Sequence, residues 1–245
     1  MDVEDLSASQ SLVSRQRRRG RETTPKTVRA PDYRHLDHPF PAQKMFSDDE
    51  IAAIHDTALR VLEDLGMRVL LPEARDIYAA AGARVVEDMV FIGRDIVSSA
   101  LAGAPRTWRL RAPNPQRDQI YAQGRMIFMA GVGCPNATDR DRGRRPGSLA
   151  DFVESLQLCQ AYDVIHMLGP MVEPQDVPVH LRHYATIEAQ LAHSDKPLFL
   201  FSRGPAQVAQ GFEMIQSALN LTDDEFAADV WVSTVSNTNS PRLLD

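Results

Sequence analysis

The stretch PLFLFSRGPAQVAQGFEMIQSAL, residues 197–219, decides the fold of this chain. Its first part, Pro197–Phe201, reads as a strand that is apolar at consecutive positions, so both of its faces are predicted to be covered. A turn containing glycine and proline follows, and Gln207–Leu219 reads as a helix. A doubly covered strand that runs into a helix is typical of an α/β fold with a parallel sheet.

The same alternation of strand and helix extends outward from this unit, from about Arg125 to residue 235. Because a helical crossover returns the chain in the same direction, strands separated by helices are predicted to be parallel. The other predicted strands are Met126–Ala130, Val164–Leu168 and Val230–Val235, and the other predicted helices are Ser148–Ala161 and Val179–His193.

Two α/β architectures share this pattern, the open doubly wound sheet and the closed βα barrel. The nucleotide-binding form of the open sheet needs a third glycine at the start of the first helix. Here Gly131-Val-Gly-Cys-Pro-Asn136 lacks that glycine, and an Arg/Asp-rich loop comes next. A barrel takes roughly 250 residues, but residues 125–245 hold only four predicted strands. We therefore predict the first half of a (β/α)8 TIM barrel, in a truncated chain.

A smaller α+β segment, residues 46–124, is predicted to precede the barrel. Ser47 and Glu50 have the spacing of a capping box, and Ile51 and Ile54 begin the apolar face of the helix that follows. The remaining predicted elements are strands Met67–Leu71, Val85–Ile92 and Thr107–Arg111 and helices Pro72–Ala81 and Arg94–Ala102.

Composition places the chain among ordinary globular proteins, with 43% hydrophobic and 24% charged residues and a net charge of -6. The negative charge argues against nucleic-acid binding over the whole surface. The basic run at residues 15–21 lies in an extension, residues 1–45, that is predicted to be disordered. No apolar stretch is long enough to span a membrane and the start is acidic, so we predict a cytoplasmic protein. Two cysteines fit a reducing compartment.

Several separated blocks resemble the trimethylamine methyltransferase family of corrinoid-dependent methyltransferases, from about residue 40 to the end. They are FSDDEI at 46–51, VLEDLG at 61–66, GVGC at 131–134, LADF at 149–152, EPQDVP at 173–178 and NSP at 239–241. The resemblance implies a closed eight-stranded barrel. It also implies transfer of a methyl group from a tertiary or quaternary methylated amine, such as trimethylamine or a betaine, to a corrinoid (cobalamin) on a separate corrinoid-binding protein.

The same resemblance places the catalytic residue, pyrrolysine in the founding members, in the second half of the barrel. No position of this chain corresponds to that residue, so the catalytic residue is unknown and the chain alone is expected to be inactive. The resemblance names neither the amine nor the oligomeric state, and a homo-oligomer stays open.

Polar residues that follow the predicted strands are the candidate substrate contacts, because a βα barrel binds its ligand at the carboxyl ends of its strands. Glu173 can face a cationic ammonium, and Arg203 can pair with the carboxylate of a betaine or with a corrinoid side chain. The alternatives are a solvated glutamate, a rim charge and plain turns. Asp176 is expected to cap the helix that follows it. The full set is Gly133, Asn136, Glu173, Arg203, Asn237 and Asn239.

Aromatic faces hold quaternary ammonium groups, each ring contributing about 0.5–2 kcal/mol. The candidates on the predicted strands are Phe128, Phe201 and Trp231, with core packing as the alternative. No metal other than the partner's cobalt is predicted. His180 and His183 are expected to share a helix face without a third ligand, and His166 reads as a core residue.

Two other functions stay open. A different barrel enzyme, a lyase or hydrolase, would use Glu173 as an acid or base. A non-catalytic remnant or split module would complete its barrel with a second polypeptide.

Overall fold

The computed structural model describes residues 34–41, 43–131, 133–169 and 171–234, together with the backbone of Leu243–Leu244. Helices and strands are mixed along this part of the chain, as the α/β class predicts. The predicted contacts Asn237 and Asn239 lie outside the described residues, as does most of the predicted extension.

The elements fall into an earlier and a later group along the chain. The earlier strands and helices are β1 (Leu36–Asp37), α1 (Asp48–Arg60), β2 (Met67–Val69), α2 (Pro72–Ala80), β3 (Arg84–Val86), β4 (Met89–Phe91), α3 (Arg94–Gly103), β5 (Trp108–Leu110) and β6 (Gln119–Tyr121). The later ones are β7 (Arg125–Met126), β8 (Asn136–Asp139), β9 (Gly143–Pro146), α4 (Leu149–Ala161), α5 (Arg182–His193), β10 (Leu198–Phe199), α6 (Gly204–Ala218), α7 (Asp223–Ala228), β11 (Val232–Ser233) and β12 (Leu243–Leu244).

Helix α1 begins with the predicted capping box. The Glu50 backbone N–H donates to the Ser47 hydroxyl at 3.3 Å, and the Glu50 carboxylate accepts from the Ser47 backbone N–H at 2.8 Å. The buried face of α1 differs from the predicted one. Ile51 and Ile54 are 48% and 57% exposed, and Leu59 is the buried residue. The apolar spacing therefore predicts the helix but not the side that is buried.

One predicted strand, Val85–Ile92, is in fact the hairpin β3–β4. Val85 pairs with Val90 in antiparallel register, and Glu87 at the turn adopts a φ of 56°. The run of β-branched residues hides the turn because Glu87 replaces the glycine or asparagine that usually marks a positive φ. The hairpin joins β2 and β12 in a four-stranded sheet of order β12-β2-β4-β3.

The predicted parallel arrangement is found in the later group, although the regular strands are shorter than predicted. Met129 and Met167 form a parallel bridge, and the Leu168 N–H donates to the Pro197 carbonyl at 3.2 Å. Strand β10 pairs with β11 in parallel register, Leu198 opposite Val232. Four successive segments of the chain are thus joined side by side in chain order.

The first of these segments departs from its prediction. Instead of one strand over residues 126–130, β7 pairs antiparallel with β1. Phe128 and Met129 contact the next segment, and the Phe128 carbonyl accepts from the His166 N–H at 2.8 Å. The Arg/Asp-rich stretch expected as a loop is the hairpin β8–β9, in which Asn136 pairs with Pro146. Polar hairpins of this kind carry no apolar alternation, which is why the sequence pattern does not reveal the strands.

A single apolar cluster packs the later helices onto the parallel segments. Gly211 of α6 is needed for this close approach, because a Cβ there would lie 2.6 Å from Leu200 and 3.2 Å from Ile187. The fully or nearly fully buried members of the cluster are Phe152, Leu156, Leu168, Ile187, Leu198, Leu200 and Ile215.

Lys196, which is fully buried, connects the end of α4 by hydrogen bonds to the segment that leads into β10. Its ammonium donates to the carbonyls of Cys159, Tyr162 and Ile165 at 2.5, 2.8 and 2.6 Å. Carbonyls at and beyond a helix carboxyl end have no donor within the helix, and of these three the Tyr162 carbonyl also accepts from the Ile165 N–H at 3.0 Å. Burial lowers the pKa of Lys196 to about 8, and repulsion from Arg117 adds to the shift.

Candidate functional site

Two of the predicted post-strand residues, Gly133 and Glu173, meet with Phe201 in one small cleft. Cys134 and Val172 form an isolated parallel β-bridge, and the Glu173 N–H donates to the Cys134 carbonyl at 2.9 Å. The cleft encloses about 20 Å³, which is room for one water-sized group. Its lining residues are Gly133, Val172, Glu173, Pro174, Arg182, Thr186 and Phe201.

The charges at this cleft form a chain of three groups. The Glu173 carboxylate accepts a hydrogen bond from the Arg182 guanidinium at 2.8 Å, and the Arg203 guanidinium lies 3.7 Å from the same oxygen. Glu173 and Arg182 are 20% and 17% exposed, whereas Arg203 is 63% exposed. Glu173 is therefore already paired, and Arg203 carries the charge that faces solvent.

The backbone around Glu173 is held by the end of the β8–β9 hairpin. Gly147 donates its N–H to the Pro135 carbonyl at 3.0 Å and accepts from the Gln175 N–H at 2.8 Å. A Cβ at Gly147 would overlap Val172 and would lie 3.0 Å from the Glu173 carbonyl. Only glycine allows this close approach, and it fixes the position from which Glu173 extends.

The sequence predicts that Asp176 caps the helix that follows it, but the structure places its carboxylate at a different helix. Its carboxylate accepts from the Leu149 N–H at 2.9 Å, at the first residue of α4. Ser148 and Asp151 form a capping box at the same helix end. Since the N-terminal N–H groups of α4 can donate to a carboxylate from any part of the chain, the tertiary fold overrides the local sequence signal.

Some of the other predicted contacts lie apart from the cleft lining. Asn136 belongs to the β8–β9 hairpin. Phe128 is 40% exposed and its ring centroid is 6.0 Å from that of His166. Trp231 is 9% exposed, with the Arg111 guanidinium 5.2 Å from its ring. Of the aromatic candidates, Phe201 alone contributes to the lining of this cleft.

His166 is a core residue, as predicted. It is 1% exposed, and the Phe128 N–H donates to its Nδ1 at 3.0 Å. Burial lowers its pKa, which a hydrogen bond with the backbone of Arg34 partly offsets. The neutral ring thus joins the first two parallel segments and takes no place at the cleft.

The two helical histidines differ from the prediction, because they do not share a face. His180 is exposed in a short 3-10 turn, whereas His183 is 3% exposed and its Nε2 lies 2.8 Å from the Gln210 side-chain oxygen. Within residues 34–41, 43–131, 133–169 and 171–234, no three His, Cys, Asp or Glu side chains gather in a way that could hold a metal ion.

Sequence reasoning missed two polar residues of the cleft lining, Arg182 and Thr186. Both lie on α5, and the Thr186 hydroxyl donates back to the Arg182 carbonyl at 2.8 Å. Arg182 also donates from Nε to the Val177 carbonyl at 2.8 Å, which folds its side chain back toward Glu173. The spacing of four places both residues on one helix face, but nothing in the sequence shows which element that face meets.

None of the helices in the described part of the chain is long and apolar enough to cross a membrane. The charged cleft lies where loops leave the parallel segments, the edge at which α/β folds carry their ligand sites. The chain belongs to the trimethylamine methyltransferase (MTTB) family, whose model matches residues 14–245. The resemblance seen in the sequence is thereby confirmed.

Three curated relatives show what the chain is similar to. Glycine betaine methyltransferase of Desulfitobacterium hafniense (strain Y51) is 27% identical over 176 residues, which are 71% of this chain and 37% of the relative. Trimethylamine methyltransferase MttB of D. hafniense (strain DSM 10664 / DCB-2) is 29% identical over 162 residues, 65% of this chain and 33% of the relative. L-carnitine:corrinoid methyltransferase of Eubacterium limosum is 25% identical over 158 residues, 63% and 32%. The chain spans about a third of their length.

Proposed function

We propose that this chain contributes the first part of a methyltransferase that moves a methyl group from a tertiary or quaternary methylated amine to a corrinoid on a partner protein. The observation that carries the proposal is the family match over residues 14–245. Relatives named for glycine betaine, trimethylamine and L-carnitine support the class of donor, and the word corrinoid in one of these names supports the acceptor.

The proposed architecture is the first half of a (β/α)8 barrel. The side-by-side order of the four segments, with parallel contacts at Met129–Met167 and between β10 and β11, supports it. The matched residues cover about a third of each relative, and a barrel of this kind would find its remaining strands in the rest of such a protein. We therefore expect the chain to bind a ligand weakly and to need further polypeptide for turnover.

The corrinoid would supply a reduced cobalt that accepts the methyl group. The chain's own task is to hold and orient the amine, a positioning effect that lowers the barrier by removing translational and rotational freedom. Phe201 and Arg203, 37% and 63% exposed, are accessible for this task from the open side of the cleft. A corrinoid-binding protein would approach from that side, and a cytoplasmic location and a homo-oligomer remain predictions.

The alternative barrel enzyme is less favoured by the site. An acid or base must release or take up a proton in the reaction, but Glu173 is held by Arg182 at 2.8 Å with Arg203 beside it. Two guanidinium groups already contact one oxygen of this carboxylate. A non-catalytic split module would have the same fold and differs from the proposed enzyme only in the outcome of an assay.

The test uses the purified chain of 245 residues. Saturation-transfer NMR would compare methylated ligands, glycine betaine and trimethylamine, with glycine and ammonium chloride as matched controls. We expect signal transfer to at least one methylated ligand and no demethylated product when reduced cobalamin is added to the chain alone. Equal signals for methylated and unmethylated ligands would overturn the proposal. Turnover of a substrate that has no methylated nitrogen would favour the lyase or hydrolase.

A further inference from the structure

Helix α1 is almost surrounded by solvent, far from the cleft in sequence and in character. Of its residues Asp48–Arg60, Leu59 is buried and each of the others is exposed. Most helical stability in proteins comes from packing an apolar face, and a helix of 13 residues is marginal in water without it. The exposed side of α1 is therefore a surface that gains stability when another helix packs on it.

That exposed side carries a stripe of apolar residues. Ile51, Ile54 and Ala58 follow one another at spacings of three and four, which places them on one face of the helix. Ile51 and Ile54 are 48% and 57% exposed, and Phe46, directly before the cap, is 53% exposed. These four residues, Phe46, Ile51, Ile54 and Ala58, are called the α1 stripe below. Amphipathic helices present such a stripe to a partner.

Negative charge borders the α1 stripe. Residues 48–65, which are α1 and the turn that ends it, hold six carboxylates and one arginine. Asp48 lies one helical turn before Ile51, and Glu50 lies one turn before Ile54. Since residues three and four apart are neighbours on a helix surface, these carboxylates stand beside the apolar side chains.

Cations from neighbouring segments offset only part of this charge. Lys44 lies 2.8 Å from Asp48, and Arg94 lies 2.8 Å from Asp56 and 2.9 Å from Glu63. The side chains in these pairs are between 41% and 81% exposed, so water and salt weaken the pairs. Carboxylates still outnumber cations along the helix, and a partner approaching the α1 stripe meets a negative surface.

The charge discriminates among the occupants that an apolar stripe can have. A second copy would bring one acidic helix against another, and like charges oppose that contact. A membrane surface rich in anionic lipids would repel the same carboxylates. A helix whose own apolar stripe is bordered by lysine and arginine would match the apolar and the charged parts together.

We propose that the α1 stripe is a docking surface for a basic amphipathic helix of a partner protein. Apolar side chains of the partner would pack on Ile51 and Ile54, and its lysines or arginines would face Asp48 and Glu50 on the two borders. This interaction uses no residue of the cleft, so it stands apart from the methyl transfer proposed above.

The experiment titrates the chain of 245 residues with two synthetic peptides of one apolar pattern, one of leucine and lysine and one of leucine and glutamate. Each peptide has roughly 18 residues, enough to form a helix. We expect the lysine peptide to bind roughly tenfold or more tightly than the glutamate peptide, and its affinity to fall as salt is raised. Hydrogen exchange should show that the bound peptide protects the backbone amides of α1.

Matched variants separate the α1 stripe from the overall charge of the chain. Ile54→Ala should weaken the lysine peptide roughly fivefold or more, because it removes apolar contact area. Alanine is the best helix former, so α1 itself is retained. Ile77→Ala is the control, since Ile77 is 71% exposed on α2, outside the stripe, and this variant should bind as the unaltered chain does.

Three results would overturn the proposal, and each leaves the proposed methyl transfer intact. Equal affinity of the lysine peptide for Ile54→Ala and Ile77→Ala, without protection of α1, would show that the peptide binds elsewhere through net charge. A dimer in sedimentation that Ile54→Ala dissociates would assign the stripe to a second copy of the chain. Protection of α1 by vesicles of phosphatidylglycerol, and not by the lysine peptide, would assign it to a membrane surface.

Discussion

Helices α1 and α5 have similar apolar spacing, but they differ in which of their side chains are buried. Of the α1 residues, Leu59 is buried and Ile51 and Ile54 are about half exposed. In α5 both apolar and polar side chains are buried. Its buried residues are His183, Thr186, Ile187, Ala189 and Gln190.

The same contrast holds for the interactions that fix each region. Around α1 the polar contacts are exposed, as in the pairs that Arg94 forms with Asp56 and Glu63. Around α5 they are buried: the Gln190 side chain donates to the Phe199 carbonyl at 3.0 Å and accepts from the Phe199 N–H at 2.9 Å. Buried polar groups are costly to leave unpaired, so they hold α5 and β10 in one arrangement. The region that carries the cleft is the region built this way.

The largest effect is expected where a buried polar group is removed from the later region. Lys196→Met leaves the Cys159 and Ile165 carbonyls without the donor that Lys196 supplies, and removes one of the two donors to the Tyr162 carbonyl. Each unsatisfied buried group costs about 1–3 kcal/mol, so we expect the free energy of unfolding to fall by about 3 kcal/mol or more. Chemical denaturation measures this loss. Lys44→Met, at an exposed lysine that pairs with Asp48, is the matched control and should change little.

Lys196 also makes a prediction about pH. Its pKa is about 8 in the folded chain against an ordinary value of 10.5, so the unfolded chain holds the proton more tightly between these values. Stability should therefore rise as pH increases from about 8 to 10.5, because the cost of burying the charge disappears. Lys196→Met should lack this rise. A rise of equal size in both proteins would assign it to other groups.

The next effect compares one glycine from each region. Gly211→Ala places a Cβ 2.6 Å from Leu200, and overpacking of this kind costs about 1–3 kcal/mol. Gly103→Ala, at the last residue of α3, meets nothing within 4 Å and should stabilise slightly. The change in the midpoint of thermal unfolding of each variant measures these two effects. Equal and small shifts would mean that α6 moves away from the sheet at little cost.

This contrast also shows how far the sequence can predict the fold. The helices and the parallel order were predictable because apolar spacing and helical crossovers depend on neighbours along the chain. The buried side of α1 was not, because its apolar spacing says nothing about which surfaces pack against it. Glu87 in a positive-φ turn concealed a hairpin for a similar reason, since no glycine marked the place.

The cleft was predictable only in part. Gly133, Glu173 and Arg203 follow strands, and a parallel sheet gathers the ends of its strands at one edge. Arg182 reaches Glu173 because its side chain also donates from Nε to the Val177 carbonyl. The spacing of residues in the sequence does not predict this bond. Asp176 found a partner at Leu149, 27 residues away, instead of in its own helix. Long-range partners of short polar side chains are set by the tertiary structure.

A smaller effect is expected from the helix caps of the two regions. Asp176→Ala removes the acceptor for the Leu149 N–H and should lower the free energy of unfolding by about 1 kcal/mol. Asp176→Asn keeps an acceptor oxygen and should retain most of the stability. Ser47→Ala removes the cap of α1, a helix that buries few residues, and should be seen mainly as fraying of α1 in hydrogen exchange. Global destabilisation by Ser47→Ala would show that α1 folds together with the core.

The smallest effect is expected from the exposed ion pairs of the earlier region. Arg94→Gln removes bonds of 2.8 and 2.9 Å to Asp56 and Glu63, but Arg94 is 45% exposed and water replaces the lost partners. The hydrogen bond from Arg94 lowers the pKa of Asp56, so any contribution is present above pH 3.8 and is lost as pH falls below that value. The small difference from the unaltered chain should vanish at 1 M salt, where charges are screened within roughly 3 Å. A loss that persists in high salt would mean that the Arg94 side chain stabilises α1 by packing, and the two regions would then be held in more similar ways than their exposed and buried contacts indicate.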